Sequence, residues 1–380
     1  MINLSSLDIN NKNLVIRVDM NGPIKNGNIL DSTRIEASLP TIEYALKNNA
    51  KILLISHLGR PIEGEYEESF SLKPVAKYLS KIVNEPCNVI DDLDSKSFFN
   101  KESNIQLLEN IRFFEGEKAN CKDLGAKLAS LGDIYVFDAF GTAHREQAST
   151  HSAIECAPVA CAGLLLQREN KFLSLALNNH ESPYVAVIGG AKVSSKLELI
   201  KHINSEADHI IVGGGIANTF LKAKGFDVGK SLFEDSMIDI AYNLIEKGKI
   251  ILPKKVITST TFEGKNVKET LVSEVGHNEM ILDLHLEEET VALLEDAKTI
   301  LWNGPMGVFE NIVFEKGTKD LSIAVARSKA FSLAGGGETL SAINKYIKSN
   351  DVSYCSTGGG AFLEFMEGKT LPSIEVLNSK

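Results

Sequence analysis

The residues best equipped for chemistry in this chain are its arginines. Of the 40 basic residues only seven are Arg, at positions 17, 34, 60, 112, 145, 168 and 327, so lysine serves wherever a plain positive charge suffices. A guanidinium grips a carboxylate or phosphate through two parallel hydrogen bonds, which an ammonium does poorly. Arg60, Arg112 and Arg145 each follow an apolar run, and in an α/β domain ligands sit where strands end. The surrounding strings add polar partners: RVDMNGP carries Asp19 and Asn21, SHLGRP carries His57 with Arg60, LLENIRFF carries Arg112, and DAFGTAHRE carries His144 with Arg145. Arg34 opens a helical pattern. Converging at one edge, these groups would make a positive pocket for a small, multiply charged anion. Taken one at a time, each Arg is equally well explained by a surface ion pair worth ~0–1 kcal/mol, and Arg17, inside a strand pattern, reads as structural.

The second half concentrates glycine. Triplets at 213–215, 335–337 and 358–360, with Gly189 and Gly190, each follow an apolar run and precede a helical pattern. Bare backbone lets amides approach phosphate oxygens, and a helix N-terminus adds a favourable dipole. One such turn is often only tight packing; several in one region point to a nucleotide phosphate chain. Lys192 and Lys196 in GGAKVSSK lie four apart, predicting one face of a helix that starts there; a solvated lysine pair is the plainer alternative. WNGPMGVFE holds the only Trp and places Glu310 within reach of ribose hydroxyls, or is simply a loop. GFDVGKS has one residue too few for a P-loop, and no triplet completes G-x-G-x-x-G.

The elements that must position these residues alternate. Strand candidates at 14–18, 51–56, 105–109 and 134–140, and at 184–190, 209–215, 249–253, 299–304, 331–337 and 352–360, are interleaved with amphipathic stretches. This pattern predicts α/β architecture with parallel sheets covered on both faces. There are too many strands for one sheet, and their ends change from charged to glycine-rich near 160–180. A helix there, AGLLLQRENKFLSLALNN, reads as a connector between two doubly wound, Rossmann-like domains; a (β/α)₈ barrel is the runner-up. The chain of 380 residues carries a net charge of −10, against a general nucleic-acid binder. The longest apolar run, Cys156 to Leu166, is too short for a membrane span and contains Pro158. Five cysteines without a C-x-x-C pair read as buried thiols in a reducing compartment. The start, MINLSSLDINNKN, lacks signal-peptide character, and the expectation is a cytoplasmic monomer with no membrane or nucleic-acid partner.

RVDMNGP, DSTRI, SHLGRP, LLENIRF, DAFGTAHR, GGAKVSSK, GGGIANTFL, WNGPMGVFE, GGGET and STGGGA occur in the order found in phosphoglycerate kinases, and by this match over essentially the whole chain the sequence resembles that family. The resemblance implies an N-terminal phosphoglycerate-binding domain (1–163), a hinge helix (164–180), a C-terminal nucleotide-binding domain (181–368) and a tail (369–380) returning to the first domain. It implies reversible, Mg²⁺-dependent phosphoryl transfer from 1,3-bisphosphoglycerate to ADP, giving 3-phosphoglycerate and ATP in glycolysis. Asp19, Asn21, Arg34, His57, Leu58, Gly59, Arg60, Arg112 and Arg145 would hold phosphoglycerate. Lys192, Lys196, Gly213, Gly214, Asn303, Pro305, Gly307, Val308, Glu310, Gly336, Gly337, Glu338 and Thr339 would hold the nucleotide, with Glu338 linked to the metal. Arg34 and Lys192, with backbone at Gly336 and Gly359, would stabilise the transferred group. Departures from the usual family pattern are Gly22 for Val, Glu338 for Asp, Lys254-Lys255 for a residue followed by Asp, and Leu284-His285-Leu286 where an Ile-Gly-Pro-like turn is common. A catalytically weak binding protein on the same scaffold and a nicotinamide dehydrogenase are the alternatives; the latter lacks its glycine fingerprint.

Overall fold

The computed structural model describes residues 1–93, 99 and 103–380. The chain divides into two compact units, the first formed by Met1–Lys171 with Thr370–Lys380 and the second by Phe172–Lys369.

The first unit is built on β1 (Asn13–Val18), β4 (Lys51–Ile55), β5 (Cys87–Ile90), β6 (Ile105–Leu108), β7 (Ile134–Asp138) and β8 (Ala160–Ala162), with a small hairpin of β2 (Ile24–Lys25) and β3 (Asn28–Ile29). The sheet order is β5-β6-β4-β1-β7-β8, all pairs parallel. Its strands are almost continuously buried, as a parallel sheet covered on both faces requires. Leu14, Ile16, Ile52, Leu54, Leu107 and Val136 form its core with Ile42, Val75 and Leu79 from the covering helices Thr33–Lys47 and Lys73–Val83. Strand order reverses between β1 and β7, so the crevice beyond their carboxyl ends is the natural ligand position.

The second unit repeats the plan with β9 (Tyr184–Ile188), β10 (His209–Val212), β11 (Ile250–Ile251), β15 (Thr299–Asn303), β16 (Phe331–Ala334) and β17 (Tyr354–Cys355), in the order β11-β10-β9-β15-β16-β17. Here the reversal falls between β9 and β15. A separate antiparallel sheet, β13-β12-β14, combines β12 (Lys255–Ser259), β13 (Lys268–Leu271) and β14 (Met280–Leu284).

The α/β class and two parallel sheets are as the apolar runs predict. The strands stop short of the glycines, which fall in the turns after them. The alternation did not reveal β5, β8 or the antiparallel sheet. β13 is short and mostly exposed, so it presents no apolar run to read. The cysteines are free, but Cys156 is exposed and Cys121 and Cys355 half-buried, so only Cys87 and Cys161 are buried thiols.

Leu301 is fully buried in β15, beside the chain's only Trp. Leu301→Ala is expected to destabilise this unit by ~2–5 kcal/mol, measured as an earlier urea midpoint of Trp302 fluorescence.

Candidate active site

The positive groups of the first unit gather at its reversal point. Asp19, one residue past β1, accepts a hydrogen bond from Arg34 Nη1 at 2.8 Å. Arg34 stands in the first turn of the helix Thr33–Lys47, which brings its guanidinium back over the strand end. Asn21 Oδ1 accepts from the Gly59 amide at 2.9 Å, joining the turn after β1 to the turn after β4. Arg112 donates to the Gly59 carbonyl. Asn110 organises the same turn, accepting from Leu58 N (3.1 Å) and Arg112 N (3.2 Å) and donating to Leu58 O (2.7 Å). His57 is buried, with Nδ1 3.4 Å from Arg17 Nη2 and 3.9 Å from Asp19 Oδ1. Gly22 has room only for hydrogen, since a Cβ there would lie 2.9 Å from the Asp31 carbonyl.

The charges at this edge do not balance. Arg17, Arg34, Arg112 and Arg145 act electrostatically on His57, and Arg60 joins them in acting on Arg112 and Arg145, while Glu117 is the carboxylate acting on Arg112 and Asp19 the one acting on Arg145. Glu117 is committed beneath: it accepts from Ser149 Oγ at 2.6 Å and Ser149 N at 2.9 Å, and Arg17 Nε donates to Ser149 Oγ at 2.9 Å. Burial first, then the neighbouring guanidiniums, push His57 well below its usual value, so its ring is neutral. Burial and repulsion from Arg145 and Arg17 lower Arg112 to about 10, and burial leads the lowering of Arg145, with Arg17 adding repulsion. Arginine stays charged at neutral pH, so these shifts register burial of charge together with mutual repulsion, both of which a bound anion would offset. Buried Arg112 Nε has no hydrogen-bond partner. All nine residues expected to hold phosphoglycerate therefore occur in one connected neighbourhood, with exposed Arg60 and half-buried Arg145 joined to it through charge alone.

In the second unit the turns at the strand ends enclose a cavity of about 560 Å³. Gly214, Pro305, Gly307, Val308 and Glu338 line it, against an apolar wall that includes Phe262, Met280 and Leu282. Behind it the strand ends are cross-tied. Lys196 Nζ donates to the carbonyls of Gly189 (2.6 Å) and Asn303 (2.9 Å), Asn303 Nδ2 to Gly335 O (2.7 Å), and Gly304 N to Thr339 Oγ1 (2.8 Å). Enclosure lowers Lys196 to about 8, opposed by Glu338 nearby. Lys196, Asn303 and Thr339 thus brace the cavity from behind.

The glycines divide by task. A Cβ on Gly189 would sit 1.9 Å from Pro305 O and one on Gly213 2.5 Å from the same oxygen, so these two serve backbone packing. Gly337, in contrast, has nothing within 4 Å of its Cβ position; it begins the helix Gly337–Tyr346, with Glu338 in its first turn. Gly336 precedes it at φ +95°, and Gly359 precedes the short helix Gly360–Met366.

One expectation needs correction. Lys192 and Lys196 do not share a helix face: the helix begins at Leu197, and both lysines lie in the turn before it. Glu234 holds that turn open by accepting from Ser194 N (2.8 Å) and Oγ (2.5 Å), while Lys196 folds inward. Lys192 is left exposed. Glu310 is also exposed and is absent from the cavity lining. Among residues not singled out from sequence, Asn110, Glu117 and Ser149 support the first site; in the second, β14, which ends in the singled-out Leu284, forms one wall. Their signals are long-range pairings, 132 residues apart for Arg17 and Ser149, invisible to local pattern.

An α/β molecule with an unneutralised guanidinium cluster at one sheet reversal and a glycine-lined cavity at another has the parts of a phosphotransferase acting on a small anion. Residues 4–369 match the phosphoglycerate kinase family model. The chain is 48% identical over 389 aligned positions to the phosphoglycerate kinase of Francisella tularensis subsp. novicida, covering 100% of this chain and 98% of that one. The solved phosphoglycerate kinase of Coxiella burnetii superposes with a TM-score of 0.93 at 45% identity, covering 100% of this chain and 99% of that one. That of Pyrococcus horikoshii superposes at 0.84 with 31% identity, covering 100% and 98%. The chain belongs to the phosphoglycerate kinase family and is a phosphotransferase with a carboxyl-group acceptor. Nothing favours the non-catalytic or dehydrogenase readings.

His57 supplies a pH test. Its folded pKa lies below its unfolded value, so its contribution to stability is present above about pH 6.5 and is lost as pH falls through the sixes toward the folded value. The His57 ring is expected to titrate in NMR at a lower pH than a free imidazole, and His57→Gln to flatten the fall in stability below pH ~6.5.

Proposed function

We propose that the guanidinium cluster of the first unit holds phosphoglycerate and that the cavity and open glycine turn of the second hold ADP or ATP. The reaction is reversible transfer of a phosphoryl group from the acyl phosphate of 1,3-bisphosphoglycerate to ADP. The observation that carries this reading is the imbalance of five guanidiniums against two carboxylates around a neutral, buried His57. Phosphoryl transfer requires little covalent help; it needs in-line positioning and neutralised charge.

Within this reading Asp19 and Asn21 orient Arg34 and the turn at Gly59, and Arg60, Arg112 and Arg145 take the anionic groups of the substrate. Arg34 and exposed Lys192 neutralise the group in flight, with backbone at Gly336 and Gly359 assisting. Apolar residues around Pro305 and Val308 suit a flat base, and the unobstructed start of the helix at Gly337 suits phosphates. Glu338 stands exposed on the cavity wall, and no group of three or more metal-ligating side chains occurs among the described residues. One carboxylate beside nucleotide phosphates fits Mg²⁺, which commonly takes one or two carboxylates and completes its shell from phosphates and water. When bound, the ion neutralises charge on the phosphate oxygens. An acyl phosphate must also be kept from water, so both substrates have to share a sheltered space during transfer. We assign the hinge for that to the helix Leu164–Leu177, and place the enzyme in the cytoplasm as a monomer.

A coupled assay of ATP formation from 1,3-bisphosphoglycerate and ADP tests the reading. Arg34→Ala is expected to lower kcat by about a hundredfold or more, with circular dichroism unchanged. Chelation of divalent ions should abolish turnover and Mg²⁺ restore it. Full activity in Arg34→Ala would contradict the assignment.

A further inference from the structure

The nucleotide cavity contains a buried acid that the reaction does not use. Asp283, in β14, is 1% exposed, and both it and its neighbours Leu282 and Leu284 line the cavity. Its Oδ2 accepts from the Gly317 amide at 2.7 Å, where the helix Lys316–Arg327 begins. Its Oδ1 has no hydrogen-bond partner. That oxygen is wedged between two backbones: a Cβ on Gly307 would lie 2.5 Å from it, and a Cβ on Gly317 2.6 Å. The same three segments are stitched around it, with Val308 N donating to Leu282 O at 2.8 Å and Met306 N to Thr318 Oγ1 at 3.1 Å. One carboxyl group therefore touches the strand, turn and helix that shape this side of the cavity.

An anionic oxygen buried without a donor is costly, whereas the neutral acid avoids most of that cost. We propose that Asp283 is a positioning residue for the nucleotide, its neutral carboxyl holding the strand, turn and helix of the cavity wall in register and its ionisation weakening binding. This rests on the reading of that cavity as the nucleoside site. The charged groups around it agree in direction. Burial pushes the carboxyl up to about 7, Asp320 pushes it further, and the Gly317 and Leu284 amides and Lys316 oppose. Lys230 and Glu338 are the other charged side chains lining the cavity. A base filling the cavity replaces its water with apolar surface and so weakens the screening of a charge at Asp283; binding therefore favours the neutral form, and by linkage affinity falls as the group ionises.

Adenosine is the probe, because it carries no phosphate to titrate or to bind metal. Calorimetric Kd values would be measured for the wild type, Asp283→Asn and Asp283→Ala from about pH 6 to about pH 8.5. Wild-type affinity is expected to weaken roughly threefold across that range. Asp283→Asn, which keeps an acceptor for Gly317 and cannot ionise, should bind with the wild type's low-pH affinity throughout. Asp283→Ala should bind more weakly at every pH; if it fails to fold, Asp283→Asn alone decides. A residue that only stabilised the fold would leave the pH slope intact. A flat wild-type profile, or the same slope in Asp283→Asn, overturns the proposal while leaving the cavity assignment standing. Absence of adenosine binding at all pH values overturns the cavity assignment and the proposal with it.

Discussion

Positive charge held without enough counter-charge is the constraint around which the first unit is organised. Arg17 is fully buried in β1 and is tolerated because Ser149 accepts from it and links it to Glu117, whose charge acts on it from below. Asp19 is committed to Arg34. The remaining guanidiniums are left repelling one another and, after burial, help to hold His57 neutral. Burying like charges without partners is unfavourable, and a protein that retains such a cluster at a strand-order reversal stores a preference for an anion. The backbone of the site reflects the same demand. Asn21 and Asn110 lock the turns after β1, β4 and β6, fixing the directions from which arginine side chains enter.

The second unit solves a different problem with uncharged backbone. Its strand ends come so close that side chains are excluded at Gly189 and Gly213, and Lys196, Asn303 and Thr339 tie them together. Rigid cross-tying behind the cavity leaves the front free to be shaped by side chains of the antiparallel sheet. Preorganisation of this kind lowers the cost of ordering a ligand. Of the departures in the LDLHL segment only Leu284 falls on this wall, with the other residues of β14; His285 turns away to pair with Glu269 at 3.3 Å, and Leu286 lies outside the lining.

Much of this was legible from residue order. Apolar runs ending in Arg-bearing or glycine-bearing strings marked the strand ends, because a parallel sheet buried on both faces writes itself as a continuous run. Scarcity of Arg against Lys marked the guanidinium cluster, since only a bidentate task demands the planar fork. The tasks of Lys196, Asn303 and Thr339 were not legible, because a side chain that braces a cavity and one that faces its ligand can have the same sequence context. The turn carrying Lys192 was misread as helix because Glu234, 40 residues away, captures Ser194 and delays the helix start. Asp283 left no local sign either: its burial depends on glycines at 307 and 317, brought to it only by the fold.

The account stands most directly on the guanidinium cluster being a binding site, and side-chain ¹⁵Nε NMR of the arginines with 3-phosphoglycerate measures that. Saturable shifts of Arg34, Arg112 and Arg145 at a common Kd, with Arg327 in the second unit unmoved, are the predicted result. Shifts confined to other arginines, or none at saturating ligand, would contradict it.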